Sequence, residues 1–379
     1  MPDAAGPYPV AALARIAEVA AEEWDACAGS DNPFVAHAFL DALERSGSAT
    51  AGTGWLPRHL VARDGAGKVA ACAPVYLKGH SYGEYVFDWG WAEAWQRAGG
   101  RYYPKLQCAV PFTPVTGPRL MARGQAAGEA LVAALVGIAQ SRHLSSVHVT
   151  FPTQGEAEML ERAGFLLRLG CQYHWRNRGY SGFEGFLADL SSRKRKQIRH
   201  ERQAVAASGV RLSTLVGADV KARHWDAFHR FYRMTVDRKW GDAYLKREFF
   251  EILSASPLGG RVVLVFAEDD DGPVAAAFNM IGGDTLFGRN WGAAREVPFL
   301  HFEACYYRAL DFAIAHGLAR VEAGAQGEHK VSRGYLPTPT WSAHWIADPG
   351  FRRAVARFLA EERPLIEAAM AEQAGPFRQ

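Results

Sequence analysis

The chain has 379 residues, 49% of them apolar and 22% charged, with a net charge of +3 and a pI near 8.5. That composition excludes a disordered or fibrous chain, and its length predicts two domains at about 100–200 residues each. A charge this close to balance does not by itself imply a nucleic-acid partner; local clustering matters more.

The N-terminal stretch MPDAAGPYPVAALARIAEVAAEEWDAC mixes acidic residues into short apolar runs and does not read as a signal peptide. No run approaches the roughly 20 apolar residues of a membrane span, so any membrane contact is expected to be peripheral. Cys27, Cys72, Cys108, Cys171 and Cys305 are scattered, with no CxxC pair and no metal-ligand spacing. A disulfide framework or zinc site is therefore not expected, and a reducing cytoplasm is.

The chain then repeats itself. HLVARDGAGKVAACAPVYLKGHSYGEYVFDWG (59–90) can be laid over VLVFAEDDDGPVAAAFNMIGGDTLFGRNWG (263–292). Both read as three strands joined by Gly-containing turns and ending in Trp-Gly. EALVAALVGIAQSRHLSSVHVTF (129–151) parallels EACYYRALDFAIAHGLARVEAGA (303–325), each an amphipathic helix followed by a short strand. Helical segments precede each copy: AEEWDACAG and HAFLDALERSG in the first, HWDAFHRFYRMTV and LKREFFEIL in the second.

Each half thus predicts helix, helix, three antiparallel strands, helix, strand, giving a mixed-sheet α/β protein with a duplicated core. The boundary is placed at 178/179, inside the Gly- and Arg-interrupted RNRGYSGFEGF. The first copy carries an insert at about 91–120 with Trp91, Trp95, Tyr102, Tyr103 and Phe112, stiffened by prolines. It predicts either a wall of a ligand cleft or an aromatic minicore.

SSRKRKQIRHER (191–202) places six basic residues within ten, Arg193, Lys194, Arg195, Lys196, Arg199 and Arg202. Leu190, Ile198 and Val205 fall on one side of the predicted helix, which turns the basic residues outward. Arg195, Lys196, Arg199 and Arg202 are candidate polyanion ligands, or a solvated basic face. Later come GRNWG (288–292), HFEACYY (301–307), GAQGEHKVSRGYLPT (324–338) and SAHWI (342–346).

These blocks, with PFTPVTGPRL (111–120), resemble the bacterial FemAB-like family, whose members carry two GNAT-like domains. The resemblance implies two tandem GNAT-like domains with mixed, mostly antiparallel sheets flanked by helices, the second holding the active-site cleft. The long coiled-coil arm of some members has no counterpart, because sustained heptads are absent. The resemblance also implies transfer of an acyl or aminoacyl group to an amine on a small molecule or peptide. Aminoacyl-tRNA is the preferred donor, with its acceptor end on the basic helix. Acyl-CoA is the alternative, supported by QAAGEA (125–130), which has the form of a GNAT pyrophosphate loop. A non-catalytic protein recognising cell-wall precursors is the second alternative. No tightly bound cofactor and no metal are expected.

Direct acyl transfer needs a base, an oxyanion donor and a proton for the leaving group. Candidate catalytic residues are His329, Lys330, Glu328 and Glu303. Candidate substrate contacts are Arg289, Trp291, Gln326, Arg333, His301 and His344. Spacing does not let Glu328, His329 and Lys330 converge in either a helix or a strand. The first copy has Gln154-Gly155-Glu156 where the second has Gln326-Gly327-Glu328, so this triplet reads as structural, a turn or helix start common to both units. The catalytic emphasis therefore falls on His329, Lys330 and Arg333, with Glu328 in support.

Overall fold

The computed structural model describes residues 7–238, 243–324, 327–373 and 375–377, apart from the side chain of Glu328. The chain forms two compact units, Met1–Gly170 with Pro339–Ala369, and Cys171–Thr338 with Met370–Gln379. The first division lies close to the expected 178/179. The second was not foreseen: a segment expected in the later half returns to the first unit. Both units are α/β, with mixed, mostly antiparallel sheets flanked by helices.

In the first unit, Val75–Lys78 pairs antiparallel with Trp55–Pro57 and with Lys105–Cys108. Lys105–Cys108 runs parallel to Ser146–Thr150, which pairs antiparallel with Ser342–Ile346. The parallel step needs a crossover, supplied by the helix Gln125–Ser141. That helix buries Leu131 and Leu135 against Leu106, Val147 and Val149 on one sheet face. Alternation puts Lys105, Gln107, Ser146, His148 and Thr150 on the other face, and these are buried as well.

The repeat places the third strand of the first copy at 83–90. The structure instead makes 79–88 a loop leading into the helix Trp89–Arg97, and Lys105–Cys108 takes the strand's place. The loop turns through left-handed backbone at Gly83 (φ 78°) and Tyr85 (φ 58°), which a strand excludes. The aromatic insert forms a minicore. Trp91 and Tyr102 are buried with Phe351, Val355 and Leu359 of the helix Pro349–Glu372, and Trp95 stacks on Phe351.

In the second unit, Arg211–Val216, Val262–Asp269, Gly272–Gly282 and Thr285–Ala293 form an antiparallel meander. Arg320–Glu322 then pairs parallel with Thr285–Phe287 and antiparallel with His174–Arg176. The helix Ala222–Asp237 lays Trp225, Phe228 and Phe231 on the meander, whose Ala275, Ala276 and Ala277 leave room for them. Gly292 is the tightest point: a Cβ there would lie 2.4 Å from the backbone carbonyl carbon of Phe231. Gly292→Ala is therefore expected to lower the unfolding free energy by about 1–3 kcal/mol, read from the urea midpoint at unchanged m. Among the described residues, no helix is long and apolar enough to cross a membrane.

Candidate functional site

The second unit opens where its parallel strand pair ends. Thr285, Leu286 and Phe287 face Arg320, Val321 and Glu322, and there the pairing stops. At the same level the antiparallel register on the other side shifts, from Asn279 opposite Gly288 to Phe278 opposite Asn290. Arg289 is the extra residue of this bulge, and bulges re-aim side chains at the margins of sites. Gly288 allows the close approach: a Cβ would sit 3.2 Å from the Glu322 carbonyl oxygen.

Glu322 stands at this opening. It is buried, and its Oε2 has no hydrogen-bond partner among the described residues. Its Oε1 lies 3.7 Å from His174 Nδ1. Burial pushes its carboxyl up to about 7, against the opposing pull of Arg320 and Arg289. His174 is held neutral: burial, then Arg320, Arg176 and Lys330, bring its imidazole down to about 3. Asn290 adds a second buried, unpartnered oxygen, Oδ1. A buried polar atom without a partner costs about 1–3 kcal/mol, so each of these oxygens is a point at which an incoming ligand gains a bond.

The stretch that follows this strand supplies the cations. Glu328–Arg333 forms a 3-10 helix. Lys330 is buried, donates to the Gly324 carbonyl at 2.9 Å, and has its ammonium brought down to about 8 by burial, with Cys305 opposing. Gly324 is two residues beyond Glu322. His329 is exposed and turned the other way, with Nε2 at 3.0 Å from the Tyr306 hydroxyl. Its imidazole is lowered by burial, Arg333 and Lys330. His329 and Lys330 thus meet different partners, and the side chain of Glu328 lies outside the described residues.

An aromatic wall links several of the expected contacts. Trp291 meets His301 at 5.4 Å, His301 meets Tyr306 at 5.4 Å, and His329 lies 6.3 Å from His301 and 5.6 Å from Phe302. Leu300–Phe302 and Arg308–Ala315 are α-helical, and Glu303–Tyr307 between them is a π-helical turn, a device that recurs at functional sites.

Two of the expected site residues have structural partners. Arg333 is bonded into the scaffold. It is buried, donates twice to Glu201 at 2.8 and 2.9 Å, reaches the Tyr307 hydroxyl at 3.0 Å and the His329 carbonyl at 2.8 Å, and lies 3.5 Å over the Phe302 ring. Tyr307 donates its hydroxyl to the same Glu201 carboxylate. Glu303 Oε1 is held between Arg202 and Arg308 at 3.1 Å each, and its Oε2 is buried without a hydrogen-bond partner among the described residues.

The basic helix divides the same way. Arg202 pairs with Asp311 and Glu303 and covers Phe183, and Arg199 pairs with Glu184 at the surface. Arg195 and Lys196 have no carboxylate partner among the described residues. His344 belongs to the first unit. It is buried, with Nδ1 at 2.6 Å from His148 Nδ1 and Nε2 at 2.9 Å from Ser342 Oγ. Gln326 and the side chain of Glu328 lie outside the described residues. In QAAGEA, Gln125 opens the helix and Gly128 packs against Ala122 and Met159.

Sequence reasoning missed Glu322 and Glu201. Glu322 was hidden in LARVEA, where one acid at a strand end has no pattern to mark it. Glu201 was findable: it lies three residues after Ile198 and four before Val205, on the buried face of an otherwise basic helix.

The sequence matches the FemAB-like family, described as peptidoglycan biosynthesis/recognition, over residues 15–379. The fold is similar to that of FemX, with a TM-score of 0.56, 11% identity, and coverage of 89% of this chain and 98% of that one. It is similar to the C-terminal domain (DUF2156) of a putative lysylphosphatidylglycerol synthetase from Agrobacterium fabrum, at 0.55, 8% identity, 90% and 95% coverage. It is also similar to L-PGS from Bacillus licheniformis, at 0.52, 9% identity, 87% and 98% coverage. At these identities the likeness is one of fold. A comparison with curated proteins gave no match. The chain belongs to the FemAB-like family.

Proposed function

We propose that this FemAB-like chain transfers an aminoacyl group from an aminoacyl-tRNA to an amine, and that the reaction takes place at the strand opening of the second unit. The observation that carries the reading is Glu322, a buried carboxylate with a free oxygen and a pKa near neutrality, set at the point where two strands part. A base poised near pH 7 suits removal of a proton from an attacking ammonium or amine.

In this reading the amine attacks the ester carbonyl carbon of the donor. Glu322 takes the proton that the amine releases. The tetrahedral intermediate expels the ribose hydroxyl, and the amide remains on the acceptor. Lys330, whose ammonium is brought down to about 8, is the group suited to return a proton to the leaving oxygen. Arg289 and Trp291, beside the bulge, suit an anionic group and a flat or apolar portion of a substrate. His301 and His329 line the wall.

The donor assignment rests on Arg195 and Lys196, basic side chains without carboxylate partners among the described residues. Arg195→Ala with Lys196→Ala is expected to weaken tRNA binding and to flatten the plot of log affinity against log salt by about 1 per lost phosphate contact. An unchanged slope would leave the helix as a solvated face. The deciding assay offers purified protein charged tRNA or acyl-CoA together with amine acceptors. Amide formation from charged tRNA alone is the expected result. Product from acyl-CoA alone would overturn the donor, and binding without turnover from either would make the chain a recognition protein.

A further inference from the structure

The first unit buries two lysines on one sheet face, and neither supports the fold in an obvious way. The side chains of Lys78 and Lys105 are both 0% exposed. Lys105 donates to Ser81 Oγ at 2.8 Å, Glu84 Oε2 at 2.8 Å and Asp88 Oδ2 at 2.5 Å. Lys78 lies 3.6 Å over the Trp55 ring, donates to the Tyr82 carbonyl at 3.1 Å, and stands 3.9 Å from Glu84 Oε1. Around them the same face carries Gln107, Ser146 and His148, all buried. Replacing such a buried ionic cluster with apolar side chains is generally neutral or stabilising, so stability alone does not account for it.

Both carboxylates come from a single segment, GHSYGEYVFDWG (79–90), the loop 79–88 with the first two residues of the following helix, with glycines at 79, 83 and 90. The loop is inside out. Its charges, Glu84 and Asp88, are buried, while its large apolar side chains Tyr82 (54% exposed), Phe87 (55%) and Trp89 (39%) face solvent. Most loops do the reverse.

The loop's carboxylates also fit imperfectly. Glu84 Oε1 and Asp88 Oδ1 are buried without hydrogen-bond partners among the described residues. Tyr102 donates to Asp88 Oδ2 at 2.7 Å, which leaves the other oxygen bare. Burial pushes the Glu84 carboxyl up to about 7 and brings the Lys78 ammonium down to about 7, so this contact is weakly charged near neutrality. Glu84 regains water on its bare oxygen by moving out, whereas Lys105 and His148, against burial, hold the Asp88 carboxyl well below the usual carboxylate range, so the ligand must replace that pairing.

We propose that Lys78 and Lys105 form a binding site for a small-molecule oxyanion, a carboxylate or phosphate group, and that the loop 79–90 is its lid, with Glu84 and Asp88 holding the lysines until the ligand displaces them. Displacement trades two incompletely bonded carboxylates for a ligand whose oxygens meet both ammonium groups. It also frees the loop to turn its aromatic side chains toward the ligand body. This site is built from residues of the first unit alone and does not depend on the transfer reading.

The test uses the full chain with pyrophosphate and citrate as probes, and sodium chloride at matched ionic strength as the control. Hydrogen exchange is followed in the loop, and binding by calorimetry. At least one probe is expected to speed amide exchange across 79–90 by about fivefold, with chloride silent. The probe that acts tells phosphate from carboxylate. Glu84→Gln with Asp88→Asn is expected to bind that probe about tenfold more tightly, and Lys105→Met to abolish binding. If either variant fails to fold, the wild-type exchange decides: loop exchange unchanged by both probes, or changed equally by chloride, overturns the proposal. A folded Glu84→Gln/Asp88→Asn variant that binds neither probe overturns it as well.

Discussion

Glu322→Gln should lower the transfer rate by about 10²–10⁴-fold, the usual contribution of a general base, with little change in KM for the donor. Gln keeps the shape and one acceptor oxygen but cannot take a proton at any accessible pH. The substitution also removes a buried group that ionises near pH 7, so the folded protein should not suffer. The pH profile gives the sharper readout. Glu322 must be ionised to act, and its carboxyl is pushed up to about 7. The wild-type rate should therefore fall as pH drops through about 7, roughly tenfold per unit below it. For an ordinary carboxylate, near 4.3, the same fall would begin more than two units lower. If the variant keeps its turnover, or if the acid limb of the profile lies near 4–5, Glu322 is not the base and the proposed site is wrong.

What could be read in advance, and what could not, follows from what encodes each feature. The duplicated α/β units were legible because amphipathic helices and alternating strands have periods that survive substitution. The Gln-Gly-Glu triplet of the first copy was legible only as a turn or a helix start, and the structure makes it a helix start, with Thr153 and Glu156 in a capping box. The aromatic, proline-rich insert read as one unit but hid a strand, because KLQC is short and both its faces are buried. The return of Pro339–Ala369 to the first unit leaves no local trace, since it depends on pairing between residues nearly 200 apart, such as Ser342 with Thr150.

The candidate site depends on features of the same kind. Trp291, His301 and His329 were proposed separately and stand along one aromatic wall. Their common placement comes from the π-helical turn and the 3-10 helix, neither of which has a sequence period to detect. Charge alone did not reveal the structural partners of Arg333 and Glu303. A guanidinium and a carboxylate read the same whether they meet a substrate or each other, and only their burial with Glu201, Arg202 and Arg308 separates the two.

Removing Arg333 should have the largest effect on stability. Its guanidinium and the Glu201 carboxylate are each 4% exposed and share two hydrogen bonds, with Tyr307 bonded to both. Arg333→Met leaves the Glu201 charge buried without its cation, which costs about 3–5 kcal/mol. At about 2–4 °C per kcal/mol for a unit of this size, the melting temperature should fall by roughly 10 °C. Glu201→Leu should do comparable damage by stranding the guanidinium. The double variant, Glu201→Leu with Arg333→Met, buries neither charge and should recover much of the loss, giving a coupling energy of at least about 2 kcal/mol in the cycle. Activity should follow a different course. Arg333 also holds the His329 carbonyl, and Lys330 lies within the same 3-10 helix. The double variant should therefore regain its melting temperature before it regains turnover. Strictly additive single effects would show that the two side chains act independently, and equal recovery of both properties would show that the pair supports the fold without positioning the loop.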